Sequence, residues 1–300
     1  MSGALHVGDC LRVLQGTPAE SFQACITSPP YWGLRDYGVE GQIGAEPTVD
    51  DYLSHLVAVF REVRRTLKKN GTLWLNVGDS YTSGGRTWRD ADKKNPARGM
   101  TYRAATPAGL KPKDLIGVPW KLAFALQADG WYLRSDIIWS KPNPQPESVK
   151  DRPTRAHEYV FLLSKRERYF YDAAAVKEPA ADGRSKRARR TVWTIQSEPL
   201  REAHFATFPP KLVEPCVLAS TRPGDVVVDP FFGAGTVGVV AEALGRKYFG
   251  VELNQAYAAI ARRRLTLTER LGRGAKRPDA VDALEAERDL GGGAERREGR

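Results

Sequence analysis

Clustered cysteines, clustered histidines and long apolar segments are all missing from this chain of 300 residues. The three cysteines, Cys10, Cys25 and Cys216, are isolated from one another, and the four histidines do not group with them. Zinc sites and disulfide frameworks need paired spacings, so we expect a reduced protein without a bound metal. Residues 1–11 lack a basic head followed by an apolar segment, and no run is long enough to span a membrane. A soluble, cytoplasmic protein without membrane contacts is expected.

Acidic residues are outnumbered by basic ones, with 36 Asp and Glu against 46 Lys and Arg, a formal net charge of +10. This balance is unusual for an enzyme of small acidic metabolites and favours a polyanionic partner, because Lys and Arg release counterions when they neutralise phosphates. Charge alone is weak evidence, since many basic proteins never contact nucleic acid. A hydrophobic fraction of 41% in 300 residues is enough for one large core.

Helical and strand patterns alternate along most of the chain, which is typical of a mainly parallel sheet in an α/β domain. The predicted strands are residues 5–7, 24–27, 72–77, 132–139, 158–163, 225–228 and 247–251. The predicted helices are residues 10–16, 52–69, 115–127, 211–220, 237–244 and 255–271, the second stopped by Asn70-Gly71. Residues 83–113 have no period and predict a long mobile loop, and residues 272–300 predict a disordered charged tail.

A glycine-rich turn, Asp229-Pro230-Phe231-Phe232-Gly233-Ala234-Gly235-Thr236-Val237-Gly238, stands between a predicted strand and a helix. Its glycines let the backbone approach a ligand, and Glu252, at the end of the next strand, is placed to accept two ribose hydroxyls. An adenosine-containing cofactor is implied. Because Gly233, Gly235 and Gly238 also match the dinucleotide fingerprint, an NAD-dependent oxidoreductase is one alternative. A tight turn without a ligand is another.

The late position of this turn, and the acid and aromatic residues before its glycines, favour a nucleoside sulfonium cofactor over NAD. Only one predicted strand follows the turn, so the missing strands must come from the N-terminal half. The strand that ends at Gly8-Asp9 would continue the cofactor crevice, with the strand that ends at Ser28 beside it. The predicted fold is a circularly permuted, doubly wound, mostly parallel sheet of the Rossmann-like type.

A second motif, Thr27-Ser28-Pro29-Pro30-Tyr31-Trp32, follows the second predicted strand, and its two prolines force a rigid loop to leave the sheet there. An exocyclic base amine is a poor nucleophile, so its methylation needs hydrogen-bond acceptors aimed at its N–H bonds. Ser28 Oγ and the Pro29 carbonyl are candidate acceptors, and Tyr31 can stack on a base withdrawn from the duplex. Alone, the motif would be a rigid turn; beside a cofactor turn it predicts amine methylation.

Together the two motifs resemble the amino-group DNA methyltransferases of the permuted beta class, in which the catalytic motif precedes the cofactor motif. The resemblance extends from Leu5 to about Leu267 and implies S-adenosylmethionine as cofactor, with Ser28, Pro29, Pro30 and Tyr31 as catalytic residues. It implies adenine contacts from Asp9 and Cys10, and a methionine end near residues 204–209. The full cofactor set is Asp9, Cys10, Phe208, Asp229, Phe231, Gly233, Gly235, Thr236, Glu252 and Leu253.

Residues 184–190 carry five basic residues in seven, which by composition alone favours a solvated charged surface. The resembled class carries its target-recognition region here, so the resemblance implies contact with double-stranded DNA. The expected DNA-binding residues are Trp32, Arg184, Lys186, Arg187, Arg189 and Arg190. One methyltransferase domain, residues 1–271, would contain a catalytic half (1–176), a recognition segment (about 177–203) and a cofactor half (204–271).

Serine before Pro-Pro-Tyr is similar to the cytosine-N4 enzymes of this family, whereas Asp or Asn is more usual for adenine-N6. We therefore predict methylation of cytosine N4 in a specific DNA site, with adenine N6 as the alternative. RNA or protein amines, and a non-catalytic nucleic-acid binder, remain open. A restriction-modification setting would add a cognate endonuclease, and a homodimer is also open. The loop at residues 86–113 would either close over the substrate or form a disordered insertion.

Overall fold

The computed structural model describes residues 3–82, 104–197 and 209–272. Its strands are β1 (Ala4–Val7), β2 (Phe22–Thr27), β3 (Leu67–Val77), β4 (Tyr132–Ser140), β5 (His157–Ser164), β6 (Glu178–Pro179), β7 (Lys186–Arg187), β8 (Val192–Thr194), β9 (Val226–Asp229) and β10 (Lys247–Glu252). Its helices are α1 (Cys10–Gln15), α2 (Val49–Thr66), α3 (Val118–Ala128), α4 (Pro210–Ser220), α5 (Thr236–Ala243) and α6 (Gln255–Gly272). Residues 83–103, most of the predicted mobile loop, and 273–300, nearly all of the predicted tail, lie outside the described residues.

One eight-stranded sheet has the order β1-β10-β9-β2-β3-β5-β4-β8. Neighbouring strands are parallel except at β5, which runs antiparallel to both β3 and β4. The N-terminal strands β1 and β2 flank the C-terminal pair β9 and β10, one on each side, which confirms the permuted, mostly parallel fold. The strand that precedes Ser28 lies beside the strand of the glycine turn and is separated from β1 by β9 and β10.

The sheet is covered on both faces, as a doubly wound fold requires. One core packs α2 and α3 against the sheet through residues that include Leu56, Phe60 and Leu122. The other packs α4, α5 and α6 through residues that include Val217, Val240 and Ala261. Full burial of an aliphatic or phenyl side chain of this size contributes roughly 1.5–3 kcal/mol to folding. All six residues of β2 are buried, so the strand that leads into residues 28–31, the predicted catalytic loop, is held from both sides.

Helix α2 ends earlier than its sequence pattern predicts. Thr48 caps its start by accepting the Asp51 N–H at 3.1 Å. The helix stops at Thr66, because the fully buried Leu67 turns extended and pairs with Phe22 of β2. The predicted stop at Asn70-Gly71 therefore falls inside β3, where strand pairing has overridden a local turn signal.

Helix α3 begins later than predicted, at Val118 rather than Leu115. The Asp79 carboxylate accepts the N–H groups of Gly117 and Val118 at 2.9 and 3.0 Å, which satisfies two donors at the start of the helix. Leu115 forms an isolated bridge with Tyr81 instead. The chain that follows β3 is thereby tied to the start of α3.

The basic segment forms two structures within residues 177–197. Strands β6 and β7 make a short antiparallel ladder that contains Lys186 and Arg187, two of the five basic residues. Strand β8 joins the edge of the main sheet, where Trp193 pairs with Trp139 of β4. Residues 198–203 of the predicted recognition segment lie outside the described ranges. Part of the segment therefore belongs to the main sheet itself.

All three cysteines are free and buried. Within residues 3–82, 104–197 and 209–272, no helix is long and apolar enough to cross a membrane. The same residues contain no group of three or more side chains that could hold a metal ion.

Candidate active site

The glycine turn between β9 and α5 folds back onto the end of β10. The Phe232 N–H donates to the Val251 carbonyl at 2.9 Å, and the Gly235 N–H donates to the Phe232 carbonyl at 2.8 Å. Gly233 and Gly235 have φ angles of +51° and +80°, which L side chains rarely adopt. A Cβ on Gly250 of β10 would lie 2.5 Å from the Phe232 ring. Gly233 and Gly235 are therefore required by backbone conformation, and Gly250 is required by close packing against the Phe232 ring.

Glu252 organises the ends of β1, β10 and the glycine turn. Its Oε2 accepts the Gly233 N–H at 2.6 Å and its Oε1 accepts the Asn254 N–H at 2.8 Å. Burial raises the pKa of Glu252 above its usual value. Its carbonyl accepts the Gly8 N–H at 3.0 Å, which brings Asp9 to the same edge.

Further residues of the predicted cofactor set lie at this edge too. Asp9 accepts the Arg12 N–H at 2.8 Å and so caps α1. Cys10 is only 8% exposed, and burial raises the pKa of its thiol to about 12, so the thiol stays protonated. Leu253 follows Glu252 and is half-buried.

Asp229 links the cofactor turn to the strand of the catalytic loop. It is 2% exposed, and its Oδ1 accepts the Thr27 hydroxyl at 2.6 Å and the Phe231 N–H at 3.0 Å. Burial raises the pKa of Asp229 to about 7, and its hydrogen bonds from Thr27 and Phe231 oppose that rise. Because Ser28 follows Thr27, this bond fixes the start of the catalytic loop beside the glycine turn.

The residues at this edge fit an adenosine-containing cofactor. A Cβ built on Gly8 would meet nothing within 4 Å, and one built on Gly233 would meet only the Phe231 carbonyl at 3.9 Å. Open space therefore lies above both glycines, next to the Glu252 carboxylate. Thr236, the first residue of α5, completes the turn. Phe208, which was predicted near the methionine end, lies outside the described residues.

The catalytic loop is braced by side chains from other elements. The Tyr52 hydroxyl of α2 donates to the Pro30 carbonyl at 2.8 Å. The Gly33 N–H donates to the Gly44 carbonyl at 2.8 Å. Glu46 accepts the Gly44 N–H at 2.8 Å and interacts with His55 Nδ1 at 3.0 Å. Two prolines stiffen the loop from within, and these contacts hold it from outside.

The position of Trp32 corrects the prediction that it contacts DNA. Its side chain is 4% exposed within the core, and its Nε1–H donates to the Glu46 carbonyl at 3.0 Å. A buried indole whose only donor is satisfied has no surface left for a nucleic acid. Trp32 therefore anchors the catalytic loop.

Tyr31 is held by a polar network that the sequence motifs do not reveal. Its hydroxyl donates to Glu158 Oε2 at 2.7 Å and lies 3.3 Å from Asn76 Oδ1. Lys141 forms an ion pair with Glu158. Burial raises the pKa of the Tyr31 phenol well above its usual value, so it remains protonated. The ring packs against Gly78, where a Cβ would lie 2.7 Å away.

The predicted DNA-binding arginines divide into two groups. Glu178 Oε1 accepts Nε–H bonds from Arg187 at 2.9 Å and Arg190 at 2.6 Å. Arg189 lies over the Trp193 ring at 4.6 Å, a cation–π contact. The side chains of Arg184 and Lys186 are exposed. Contacts within the segment thus hold Arg187, Arg189 and Arg190, although the Arg190 side chain is also 66% exposed.

A permuted α/β sheet whose edge fits an adenosine-containing cofactor, with a Ser-Pro-Pro-Tyr loop on the neighbouring strand, is typical of the Rossmann-like methyltransferases. A family model described as DNA methylase, N6/N4 methyltransferase type, matches residues 22–263. The chain belongs to this DNA methylase family.

Relatives and solved structures agree with that membership. The chain is 63% identical over 260 residues to the Type II methyltransferase M.SmaI of Serratia marcescens, covering 86% of this chain and 89% of that protein. The PvuII DNA methyltransferase structure, named as cytosine-N4-specific, shares the fold with a TM-score of 0.67 and 22% identity. The match covers 96% of this chain and 93% of the PvuII chain. A Thermus thermophilus structure, described as a putative DNA modification methylase complexed with S-adenosyl-L-methionine, gives a TM-score of 0.62 and 28% identity. The match covers 88% of this chain and 93% of the Thermus chain.

These matches confirm the prediction of a DNA methyltransferase that uses S-adenosylmethionine. The alternative of an NAD-dependent oxidoreductase was wrong, because glycine spacing alone does not distinguish the two cofactors.

Proposed function

We propose that this protein is a type II DNA methyltransferase that places the methyl group of S-adenosylmethionine on cytosine N4 within a specific DNA sequence. The observation that carries the proposal is the junction of the two motifs. Strands β2 and β9 are parallel neighbours, and the bond from Thr27 to Asp229, 2.6 Å long, joins them where both loops begin. An amine held by the Ser28 loop would thus lie next to the cofactor edge.

In this proposal Ser28 and Pro29 accept hydrogen bonds from the target amine, through the hydroxyl and the main-chain carbonyl. Pro30 is held by Tyr52, so the loop keeps its shape when the base arrives. Tyr31 stacks on the base, which must leave the duplex to reach the edge of the sheet. The bound cofactor supplies an electrophilic methyl group. The positive charge of the sulfonium passes to the amine with the methyl group, and the methylated amine then releases one proton to water, so no strong base is required.

The cofactor residues are assigned by their positions. Asp9 and Cys10 would contact the adenine, and Glu252 with Leu253 the ribose. The methionine end would lie against the glycine turn, which includes Asp229, Phe231, Gly233, Gly235 and Thr236, with Phe208 nearby. Asp229 would serve there both as a ligand and as the link to β2.

The choice of cytosine is supported by Ser28, because family members with Ser before Pro-Pro-Tyr mostly resemble the cytosine-N4 enzymes. The name of the PvuII enzyme, cytosine-N4-specific, agrees with it. Incubation of the protein with duplex DNA and S-adenosylmethionine, followed by digestion and mass spectrometry of the nucleosides, tests the choice. N4-methylcytosine is the expected product, whereas N6-methyladenine would overturn the base assignment and leave the rest intact. A Ser28→Ala variant that methylates at the wild-type rate would contradict the role of the loop.

The β6–β7 ladder and the residues after it are proposed to contact double-stranded DNA. Arg187 and Arg190 use Nε for Glu178, and a guanidinium has further N–H donors that suit a phosphate. A variant that removes one phosphate contact should make the slope of log affinity against log salt shallower by about 0.9. Replacing the exposed Arg184 and Lys186 with Ala tests this; an unchanged slope would remove them from the interface.

The remaining parts of the proposal concern organisation. The division at about residues 177 and 203 into catalytic, recognition and cofactor parts stays a prediction, as does the cytoplasmic location. A cognate endonuclease is supported by the Type II name of the Serratia relative. Co-purification with such a nuclease would test that partnership. Sedimentation analysis would test the homodimer, and a monomer with full activity would contradict it.

A further inference from the structure

Two strands that carry none of the sequence motifs hold the hydroxyl end of Tyr31. The phenol oxygen lies 2.7 Å from Glu158 Oε2 of β5 and 3.3 Å from Asn76 Oδ1 of β3. Asn76 is 5% exposed, so water competes little for its bond. Tyr31 is half-buried, which leaves part of its ring accessible. The phenol end is therefore tethered while part of the ring remains available for stacking.

The amide of Asn76 is held in one orientation by β5. Its Nδ2 donates to the Tyr159 carbonyl at 3.1 Å, and a carbonyl can only accept, so its Oδ1 faces Tyr31. An ionised Glu158 accepts the proton of the phenol. A protonated Glu158 donates to the phenol, whose own proton is then free for Asn76 Oδ1. The phenol oxygen thus keeps a hydrogen-bond partner whatever the charge of Glu158.

Gly78, two residues after Asn76, allows the Tyr31 ring to lie close to the chain that follows β3. A Cβ at this position would lie 2.7 Å from Cε2 of Tyr31 and 3.3 Å from Cδ2 and Cζ. The shorter distance is less than real Cβ atoms show, so a side chain at residue 78 would displace the ring. The φ angle of Gly78 lies outside the left-handed region, so close packing is what requires glycine here. Asn76 therefore holds one end of the ring, and Gly78 limits one of its sides.

A base that stacks on Tyr31 takes its position from the plane of that ring. Methyl transfer needs the amine in line with the donor, and a misplacement of about 1 Å can slow such a reaction by about a hundredfold. We propose that Asn76 and Gly78 are positioning residues for methyl transfer, because they fix the ring on which the target base stacks. The inference rests on the proposed function of Tyr31. Both residues act through the ring without touching the base.

Asn76→Ala removes the tether from β3 and leaves the ring itself unchanged. The single-turnover rate of methyl transfer should fall by about five- to a hundredfold, the range expected when the stacking of one base on an aromatic ring is lost. The Kd for S-adenosylmethionine should stay close to the wild-type value, since the predicted cofactor edge belongs to β1, β9 and β10. A residue that only stabilised the fold would lower the unfolding temperature without changing the rate of the folded fraction. A wild-type rate would overturn the role of Asn76.

Gly78→Ala displaces the same ring from another side, and Gly71→Ala is its matched control. A Cβ on Gly71 would also be crowded, at 3.0 Å from the Gln23 carbonyl. Strand geometry places Gly71 about 20 Å from Gly78, at the far end of β3 from the predicted catalytic loop. Both substitutions should lower the unfolding temperature, and only Gly78→Ala should slow methyl transfer. Equal rates in the two variants would overturn the role of Gly78.

Tyr31→Phe covers the case in which substitutions in or after β3 prevent folding. It removes both bonds of the phenol from the side of the loop and retains a ring that can stack. The variant should be slower than the wild type and faster than Tyr31→Ala, which has no ring. A wild-type rate for Tyr31→Phe would overturn the tether.

Tyr31→Ala separates the inference from the proposed function. If this variant methylates at the wild-type rate, the stacking role of Tyr31 fails. If it is slow while Tyr31→Phe, Asn76→Ala and Gly78→Ala are fast, only the positioning role fails. Because both positioning residues act through the ring, adding Asn76→Ala or Gly78→Ala to Tyr31→Ala should cause little further loss. Additive losses would overturn the proposed connection.

Discussion

The catalytic loop after β2 and the cofactor turn after β9 leave adjacent strands at one edge of the sheet, yet they are held differently. The cofactor turn is shaped by its own glycines, by the Phe232 ring and by the nearby Glu252. The catalytic loop depends on Glu46 and Tyr52, which lie 14 and 22 residues from their partners along the chain, and on Glu158, which lies 127 residues from Tyr31. The bond from Gly233 to Glu252 spans only 19 residues, so the predicted catalytic loop differs in that one of its supports comes from a strand far along the chain.

Trp32→Ala should cause the largest loss of stability, because the indole anchors the catalytic loop in the core. Truncation of a buried aromatic side chain costs about 3–5 kcal/mol of unfolding free energy. Urea denaturation measures the loss, and Trp32→Phe, which keeps an aromatic ring but loses the bond to Glu46, should lose less. Unchanged stability together with weaker DNA binding would restore the original prediction of a DNA contact.

Asp229→Asn should change how stability depends on pH at the junction of the two loops. Because folding raises the pKa of Asp229 to about 7, the folded state binds its proton more tightly than the unfolded chain. The resulting stabilisation is complete below the unfolded pKa of about 4 and is lost as the pH rises through about 7. At pH 8 the variant carries no charge at this position. Its free energy of unfolding should therefore exceed that of the wild type by up to about 4 kcal/mol.

Unfolding titrations of the cofactor-free protein from pH 4 to 8 measure this difference. Asn can still accept the bonds from Thr27 and Phe231, so the comparison isolates the charge. If the unfolding free energies of the two proteins changed with pH in parallel, Asp229 would keep an ordinary pKa in the folded state.

Gly250→Ala should disturb the cofactor turn and spare the catalytic loop. The added methyl group would overlap the Phe232 ring, and overpacking of this kind costs about 1–3 kcal/mol. Isothermal titration should show weaker binding of S-adenosylmethionine. Gly16→Ala is the control, because its Cβ would meet its nearest neighbour at 3.6 Å, an ordinary contact. Equal effects from both variants would argue against a role for close packing at Gly250.

Tyr52→Phe should cause the smallest change, confined to the catalytic loop. It removes the bond to the Pro30 carbonyl, which should lower stability by about 0.5–1.5 kcal/mol. We expect slower single-turnover methylation with unchanged cofactor affinity. Loss of cofactor affinity instead would mean that the two loops are less independent than their contacts indicate.

The sequence predicted most of the elements and the permuted order, because periodicity and glycine are local signals. It placed Ser28 and Asp229 at strand ends, and their junction follows once β2 and β9 are neighbours. Trp32 was misjudged because its burial depends on Glu46 and the chain around it. The end of α2 was misplaced because the pairing of Leu67 with Phe22 outweighs Asn70-Gly71.

The network around Tyr31 could not be predicted for the same reason. Glu158 is 127 residues from Tyr31 along the chain, and nothing in its own neighbourhood marks it as a partner of the catalytic loop. Lys141 lay just beyond one predicted strand, residues 132–139, and Asn76 lay within another, residues 72–77. Only the order of β3, β5 and β4 brings these side chains together.

Strand β5, the one antiparallel member of the main sheet described above, alters where functional residues can be found along the chain. In parallel sheets, ligands gather beyond the carboxyl ends of the strands, so functional residues are sought directly after each strand. A reversed strand brings its beginning to that edge, and Glu158 is the second residue of β5. Because β5 is reversed, a residue at its beginning lies at the same edge as the ends of the parallel strands. A search restricted to residues that follow strands would miss it.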